Sequence, residues 1–298
     1  MRTYLECIPC FFKQALEAAR LAGANQRMQK RVLDEVAKTL PVFSFTSSPV
    51  EMGGIIHRLI KKITGKDDPF KKIKKRSNQL ALLFYPELKK KVSNANDKLL
   101  MALELAITGN IIDYGVNNSL NLDRELKRII EKENSKRRNK AIFNYSEFKS
   151  VLKKTRTIVY LADNAGETVF DRILIEEIKE IDKNKKIIYT VKEKPVINDA
   201  LIKDAYECGI DKIADVISCG LDTPGTILSL CSKEFLKIYK EADMVISKGQ
   251  GNFEAFSDRK KQVFFLFIAK CPVVARDVGC NVGDINLLYI GGNRYGRK

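Results

Sequence analysis

Apolar residues recur three and four positions apart between Phe11 and Leu40 (Leu16, Ala19, Leu21, Val32, Leu33, Val36, Leu40). That spacing is one face of an α-helix. Gly23 marks a break in it, and Pro41 stops it. Pro49 opens a further helical pattern over residues 50–63, which Gly65 ends. Two more follow over 69–84 and 97–107, the last closed by Gly109 and Asn110. Residues 121–153 read as two polar helices joined by a loop around Asn144.

The period then changes. Residues 157–162 (TIVYLA) form a short apolar run rich in β-branched residues, the composition of a strand buried on both faces. Similar runs stand at 186–191, 215–218, 244–247 and 263–268, with helical patterns at 168–181, 200–208 and 226–241 between them. Strands alternating with helices make βαβ units and a parallel sheet covered on both sides. The expected fold is therefore α/β: an all-helical N-terminal domain over residues 1–150, then a Rossmann-like domain over residues 151–298.

In open parallel sheets, ligands bind beyond the C-terminal ends of the strands. The five segments that follow the expected strands all carry polar, charged or Gly residues. Asp163, Asn164 and Asp199 offer hard oxygen donors suited to Mg²⁺ or Mn²⁺. Gly166, Gly249 and Gly251 allow close approach of backbone N–H groups to an anion. Lys248 and Lys270 follow the fourth and fifth strands and can neutralise phosphoryl oxygens. Each position also has an ordinary structural role, Asp163 as a helix cap and the glycines as turn formers. Their convergence on one rim favours phosphoryl chemistry. Two routes stay open: attack by water activated at the cation, or attack by Asp163 to give an aspartyl-phosphate.

Absences narrow the choice. The only histidine, His57, falls within the helical pattern of residues 50–63, so no Ser-His-Asp or Cys-His relay can form in the α/β half. No GxxxxGK[ST] occurs, and no GxGxxG follows the first strand. No apolar run approaches the roughly 20 residues of a membrane span. With no leader pattern either, a soluble cytoplasmic protein is expected, without membrane partners.

The loops resemble a known family. DNAGE at 163–167, PVIND at 195–199 and KGQGNFE at 248–254 look like the metal-dependent damage-control phosphatases, formerly domain of unknown function 89. The opening Cys7-Ile-Pro-Cys10 and the Gly109-Asn110-x-x-Asp113 motif resemble its prokaryotic branch. The resemblance spans nearly the whole chain. It implies a helical domain on a Rossmann-like core, dependence on Mn²⁺, Ni²⁺, Co²⁺ or Mg²⁺, and hydrolysis of small phosphorylated metabolites such as sugar phosphates. It further implies metal ligands at Asp163, Asn164 and Asp199. Substrate contacts would fall among Asn110, Asp113, Glu167, Asn198, the 248–252 loop (Lys248, Gly249, Gln250, Gly251, Asn252) and Lys270. Leu266-Phe-Ile-Ala-Lys270 stands where the eukaryotic branch carries Arg-Thr-x-Lys.

Charge and cysteine content leave rival readings. The formal net charge is +16, of which residues 1–150 carry +13 (29 Lys/Arg against 16 Asp/Glu). A nucleic-acid-binding module is one rival, but the Lys runs at 71–76 and 89–91 read as exposed helix faces, with no Trp and no stacking motif between them. A small-molecule kinase or transferase on the same rim is another. Seven cysteines without a secretory leader argue against a disulfide framework. Cys208, Cys219, Cys231 and Cys271 read as buried thiols. The Cys7/Cys10 pair has three readings: a packed anchor, a redox pair, or part of a metal site completed by Cys271 or Cys280.

Overall fold

The computed structural model describes residues 1–109, 140–255 and 261–291. Helices α1 (Cys7–Leu21), α2 (Gln26–Thr39) and α3 (Pro49–Thr64) share a core of their own around Ala15, Ala19, Val32, Val36 and Ile56. Local chemistry sets their ends. The Asn25 side chain accepts from Met28 N at 3.0 Å, Ser48 and Glu51 form a capping box, and Gly65 closes α3 in the left-handed region.

Helices α4 (Lys71–Ser93) and α5 (Lys98–Thr108) join the core of the sheet instead. The sequence pattern ends the first of these at Phe84, yet the helix continues through Pro86 to Ser93. One backbone hydrogen bond is lost at Pro86, while Ala81, Phe84, Leu88 and Val92 line a single face and are all buried. Burial of that face outweighs the break. Lys74 also departs from expectation: it is 1% exposed, with its ammonium 2.8 Å from Asp68. That lysine is not part of a solvated basic face.

The sheet has seven strands: β1 (Lys140–Phe143), β2 (Thr157–Leu161), β3 (Lys186–Val191), β4 (Asp215–Ser218), β5 (Met244–Lys248), β6 (Val263–Ile268) and β7 (Ile285–Ile290). Their order is β1-β7-β6-β5-β2-β3-β4, parallel except where β6 meets β7. Strands β2 to β6 match the five apolar runs. β1 and β7 are additions to the expected fold. β1 is a four-residue edge strand, too short to interrupt the polar stretch around it, and the first of the two helices expected over residues 121–153 falls largely outside the described residues. The second of those helices forms as α6 (Tyr145–Lys154).

Between the strands lie α7 (Glu167–Ile181), α8 (Ile202–Glu207), α9 (Lys233–Glu241), α10 (Gln250–Ala255) and α11 (Pro272–Val278). α9 starts at Lys233 rather than near Thr226, because Ser232 caps it and accepts from Phe235 N at 3.1 Å. One face of the sheet packs on α4, α5 and α7 through Ile158, Tyr160 and Ile246. The other carries Val159, Leu161, Val245 and Phe265 against Phe235, Tyr239 and Phe253. Among the described residues no helix is long and apolar enough to cross a membrane.

The chain leaves β2 toward β3 and β4 on one side, and runs from β5 to β6 and β7 on the other. β2 and β5 are neighbours, so the crevice above their C-terminal ends is the topological switch point. Helices of the N-terminal half buttress this rim. Asn78 on α4 accepts from Gly166 N at 2.7 Å. On α3, Arg58 pairs with Asp222 at 3.2 Å, and a methyl added at Gly54 would meet Thr223 Cγ2 at 2.7 Å.

His57 on α3 lies against Phe70, with ring centroids 5.9 Å apart. Burial pushes its pKa down to about 4 from an ordinary 6.5. The unfolded chain therefore takes up a proton that the folded chain refuses. The stability linked to this group is intact above pH 6.5 and is lost as pH falls toward about 4. Thermal melts between pH 7 and 4 are expected to show a shallower loss of stability in His57→Leu than in the parent protein. Superimposable slopes would contradict the assignment.

Candidate active site

Two loops cross at the switch point. The segment after β2 and the segment after β3 run antiparallel, bridged at Asn164 and Asp199. Ala200 N donates to Asp163 O at 2.8 Å, and Ala165 N donates to Asn198 O at 2.9 Å. The crossing forces Ile197 to φ +43°, a left-handed conformation that a β-branched residue rarely adopts. Strain of this kind persists only where its surroundings impose it, and it clusters at functional sites.

The crossing brings Asp163, Asn164 and Asp199 together, all expected as ligands. Asn164 and Asp199 are buried, and Asp163 is half-buried. The Asn164 amide nitrogen donates to Asp163 Oδ2 at 3.1 Å and to Glu167 Oε1 at 2.8 Å, which turns Oδ1 away from both carboxylates. Gly249 is the second constraint on Asp163. Its φ is +79°, and a Cβ there would collide with the Asp163 carboxylate. Only glycine lets the chain leave β5 beneath that carboxylate. Two carboxylates and one amide oxygen form a hard donor set, which fits a Mg²⁺- or Mn²⁺-type cation.

The remaining expected residues divide by environment. Lys248 is fully buried and does not reach the rim: its ammonium donates to Asp171 Oδ1 at 2.7 Å and Glu167 Oε2 at 3.0 Å. Tyr160 and Tyr189 donate to the two oxygens of Asp171 at 2.7 and 2.8 Å. Burial by itself disfavours the Lys248 ammonium, but Asp171 and Glu167 outweigh it and hold its pKa above the ordinary lysine value. Glu167 is likewise enclosed, between Asn164 and Lys248.

Asn252, 1% exposed, braces the rim, donating to Ala162 O and Lys248 O and accepting from Thr226. Gln250 accepts from Lys270 N at 2.7 Å and donates to Glu254 at 2.7 Å. The N–H groups of Gly166 and Gly249 are directed to Asn78 Oδ1 and Leu266 O, so neither faces an anion. Gly251 meets Gly225 across the rim, Asn198 is buried, and Lys270 is half-buried. Asn110 and Asp113 lie outside the described residues.

Lys192 is a buried cation at this rim to which the sequence assigned no role. It is 3% exposed, with its ammonium 3.7 Å from Asp199 Oδ2. The available signal was its place two residues beyond Thr190, on the face that carries Asp163. A surface depression of about 510 Å³, lined by Lys179, Lys186 and Asp215, lies at the opposite ends of β3 and β4, away from all of these groups.

Cys7 and Cys10 stand near Cys271 and Glu254, and burial first, then these neighbours, raises the pKa of both thiols. Cys208 and Cys219 are buried as expected, whereas Cys231 and Cys271 are half-buried because both sit in rim loops. Among the described residues no three His, Cys, Asp or Glu side chains are grouped to hold a metal. The Asp163–Asn164–Asp199 set, with its amide, is of a different kind.

The rim thus gathers acidic, amide and lysine side chains at the switch point of a doubly wound sheet. The profile of the "Damage-control phosphatase ARMT1-like domain" matches residues 3–285. The chain belongs to this family, a class of phosphoester-hydrolysing enzymes. It is 34% identical over 281 residues to the damage-control phosphatase PH1575 of Pyrococcus horikoshii, spanning 93% of this chain and 94% of that protein. A damage-control phosphatase of Archaeoglobus fulgidus is 34% identical over 283 residues, spanning 94% and 96%. The uncharacterised protein MJ0202 of Methanocaldococcus jannaschii is 37% identical over 292 residues, spanning 95% and 94%. The crystal structure of PH1575, described as a DUF89 family protein, superposes with a TM-score of 0.84 at 32% identity, covering 97% of this chain and 99% of that one.

Removing the Lys248 charge leaves Glu167 and Asp171 buried without their cation. Lys248→Met is expected to destabilise the protein by about 3–5 kcal/mol in denaturant melts. Adding Glu167→Gln and Asp171→Asn to that variant should recover part of the loss. A Lys248→Met variant as stable as the parent would show that the cluster does not hold the fold.

Proposed function

We propose that the protein is a metal-dependent phosphomonoester hydrolase acting on small phosphorylated metabolites, with Asp163, Asn164 and Asp199 holding a divalent cation of the Mn²⁺, Ni²⁺, Co²⁺ or Mg²⁺ type. The supporting observation is the crossing of the 163–165 and 198–200 segments, strained at Ile197, which bridges Asn164 to Asp199 and gathers two carboxylates and an amide at one rim. When bound there, such a cation supplies Lewis-acid polarisation of a phosphoryl oxygen.

The chain's own groups divide the remaining work. Asp163 and Asp199 bring the negative charge that retains a cation, and Asn164 adds a neutral donor whose orientation is fixed by Glu167. Lys248 and Asn252 act as positioning residues: Lys248 fixes Glu167, and Asn252 ties the end of β2 to the end of β5. Lys270, Gln250 and the Gly249–Gly251 turn form the side of the rim on which the phosphorylated substrate rests. Asn198 supports the crossing through its carbonyl.

A metal-by-phosphoester screen on chelator-stripped protein tests this reading. Activity should vanish on stripping and return with Mn²⁺, Co²⁺ or Ni²⁺ more than with Ca²⁺, since the donor set is small and rigidly held. Asp163→Ala and Asp199→Ala are each expected to lower turnover by at least ~100-fold with the fold intact. Full turnover in excess chelator would overturn the proposal.

A further inference from the structure

We infer that Lys192 is a lysine that binds the phosphoryl group of the substrate, the role that position along the chain suggests for Lys248 and Lys270. This rests on the phosphatase reading of the same site and adds to it the group that recognises the anion.

Strand register places Lys192 where such a group is needed. Leu161 on β2 lies opposite Thr190 on β3 and Ser247 on β5. Successive side chains alternate between faces, so two residues further along each strand come Asp163, Lys192 and Gly249 on one face at one level. Pairing continues this far: Ala162 N donates to Thr190 O at 3.0 Å, Lys192 N to Ala200 O at 3.1 Å, and Gly249 N to Leu266 O at 3.0 Å. Lys192 thus flanks Asp163 on one side as Gly249 does on the other. By the same alternation Lys248 follows Met244 and Ile246 onto the opposite face, under α7.

The state of the ammonium points the same way. Lys192 is 3% exposed, and its Nζ has no hydrogen-bond acceptor among the described residues. Its nearest carboxylate oxygen, Asp199 Oδ2, is 3.7 Å away, beyond the ~2.8 Å of a charge-assisted hydrogen bond. An ammonium buried without a hydrogen bond is unfavourable unless an anionic partner completes it. A phosphoryl oxygen beside Asp163 and Asp199 supplies that partner.

The charges agree. Asp163 and Asp199 together balance a divalent cation, leaving a phosphoryl dianion to be met by other groups. Lys248 already serves two carboxylates of its own. Lys192 is the cation beside Asp199 that still lacks an acceptor.

The test is calorimetric titration of inorganic phosphate into Mn²⁺-loaded parent, Lys192→Met and Lys192→Arg proteins, together with Mn²⁺ titration of each stripped protein. Lys192→Met is expected to weaken phosphate binding roughly 10- to 100-fold. Its Mn²⁺ affinity should be unchanged or tighter, because a positive charge near Asp199 is gone. Lys192→Arg should keep much of the phosphate affinity. Lys192→Gln carries the expectation of the Met variant should that protein fail to fold. Unchanged phosphate affinity in the Met variant would overturn the inference alone. A parallel loss of Mn²⁺ and phosphate affinity would also overturn it, making Lys192 a support for Asp199. Failure of the parent protein itself to bind phosphate and to hydrolyse phosphoesters would overturn the phosphatase reading along with it.

Discussion

The buried ammonium of Lys248 couples the parts of this site. It sits between Glu167 and Asp171, one helical turn apart on α7, and ties that helix to the end of β5. Glu167 in turn orients the Asn164 amide, and Asp171 gathers the hydroxyls of Tyr160 and Tyr189 from the two neighbouring strands. Ion pairs in the interior repay their desolvation only when every member is satisfied. Here the cation meets two carboxylates, and further hydrogen bonds from Asn164, Tyr160 and Tyr189 engage those carboxylates in turn. The cluster thereby links three strands and a helix to the orientation of the Asn164 amide.

Above it, geometry sets the rest. Strain at Ile197 and the absence of a side chain at Gly249 both belong to the packing of the loops that carry Asp199 and Asp163. Helices α3 and α4 close the outside of the same loops through Arg58, Asn78 and Gly54. The helical half therefore helps to shape the rim, and its basic charge is not all solvent-facing, as Lys74 shows.

Much of this was legible in the sequence. Buried parallel strands need continuous apolar, β-branched runs, so β2 to β6 were readable, and with them the rim that carries Asp163, Asn164 and Asp199. β1 and β7 were not, because a four-residue edge strand has no distinctive period and an antiparallel return breaks the strand–helix alternation. The extension of α4 past Pro86 depended on tertiary burial of Leu88 and Val92, which local propensity does not report. The lysines carry the clearest lesson. Both Lys192 and Lys248 end apolar strands, and only alternation from Thr190 and Ile246 separates the one beside Asp163 from the one beneath α7. Glu167 and Asp171, four apart among the apolar residues of α7, were the matching sign of a buried cation.

Anomalous diffraction from crystals soaked in Mn²⁺ decides whether this crossing holds a cation. A strong Mn²⁺ peak bounded by Asp163, Asn164 and Asp199 is expected. A peak confined to Cys7, Cys10 and Cys271, or none at the crossing in crystals that hold Mn²⁺ elsewhere, would contradict it.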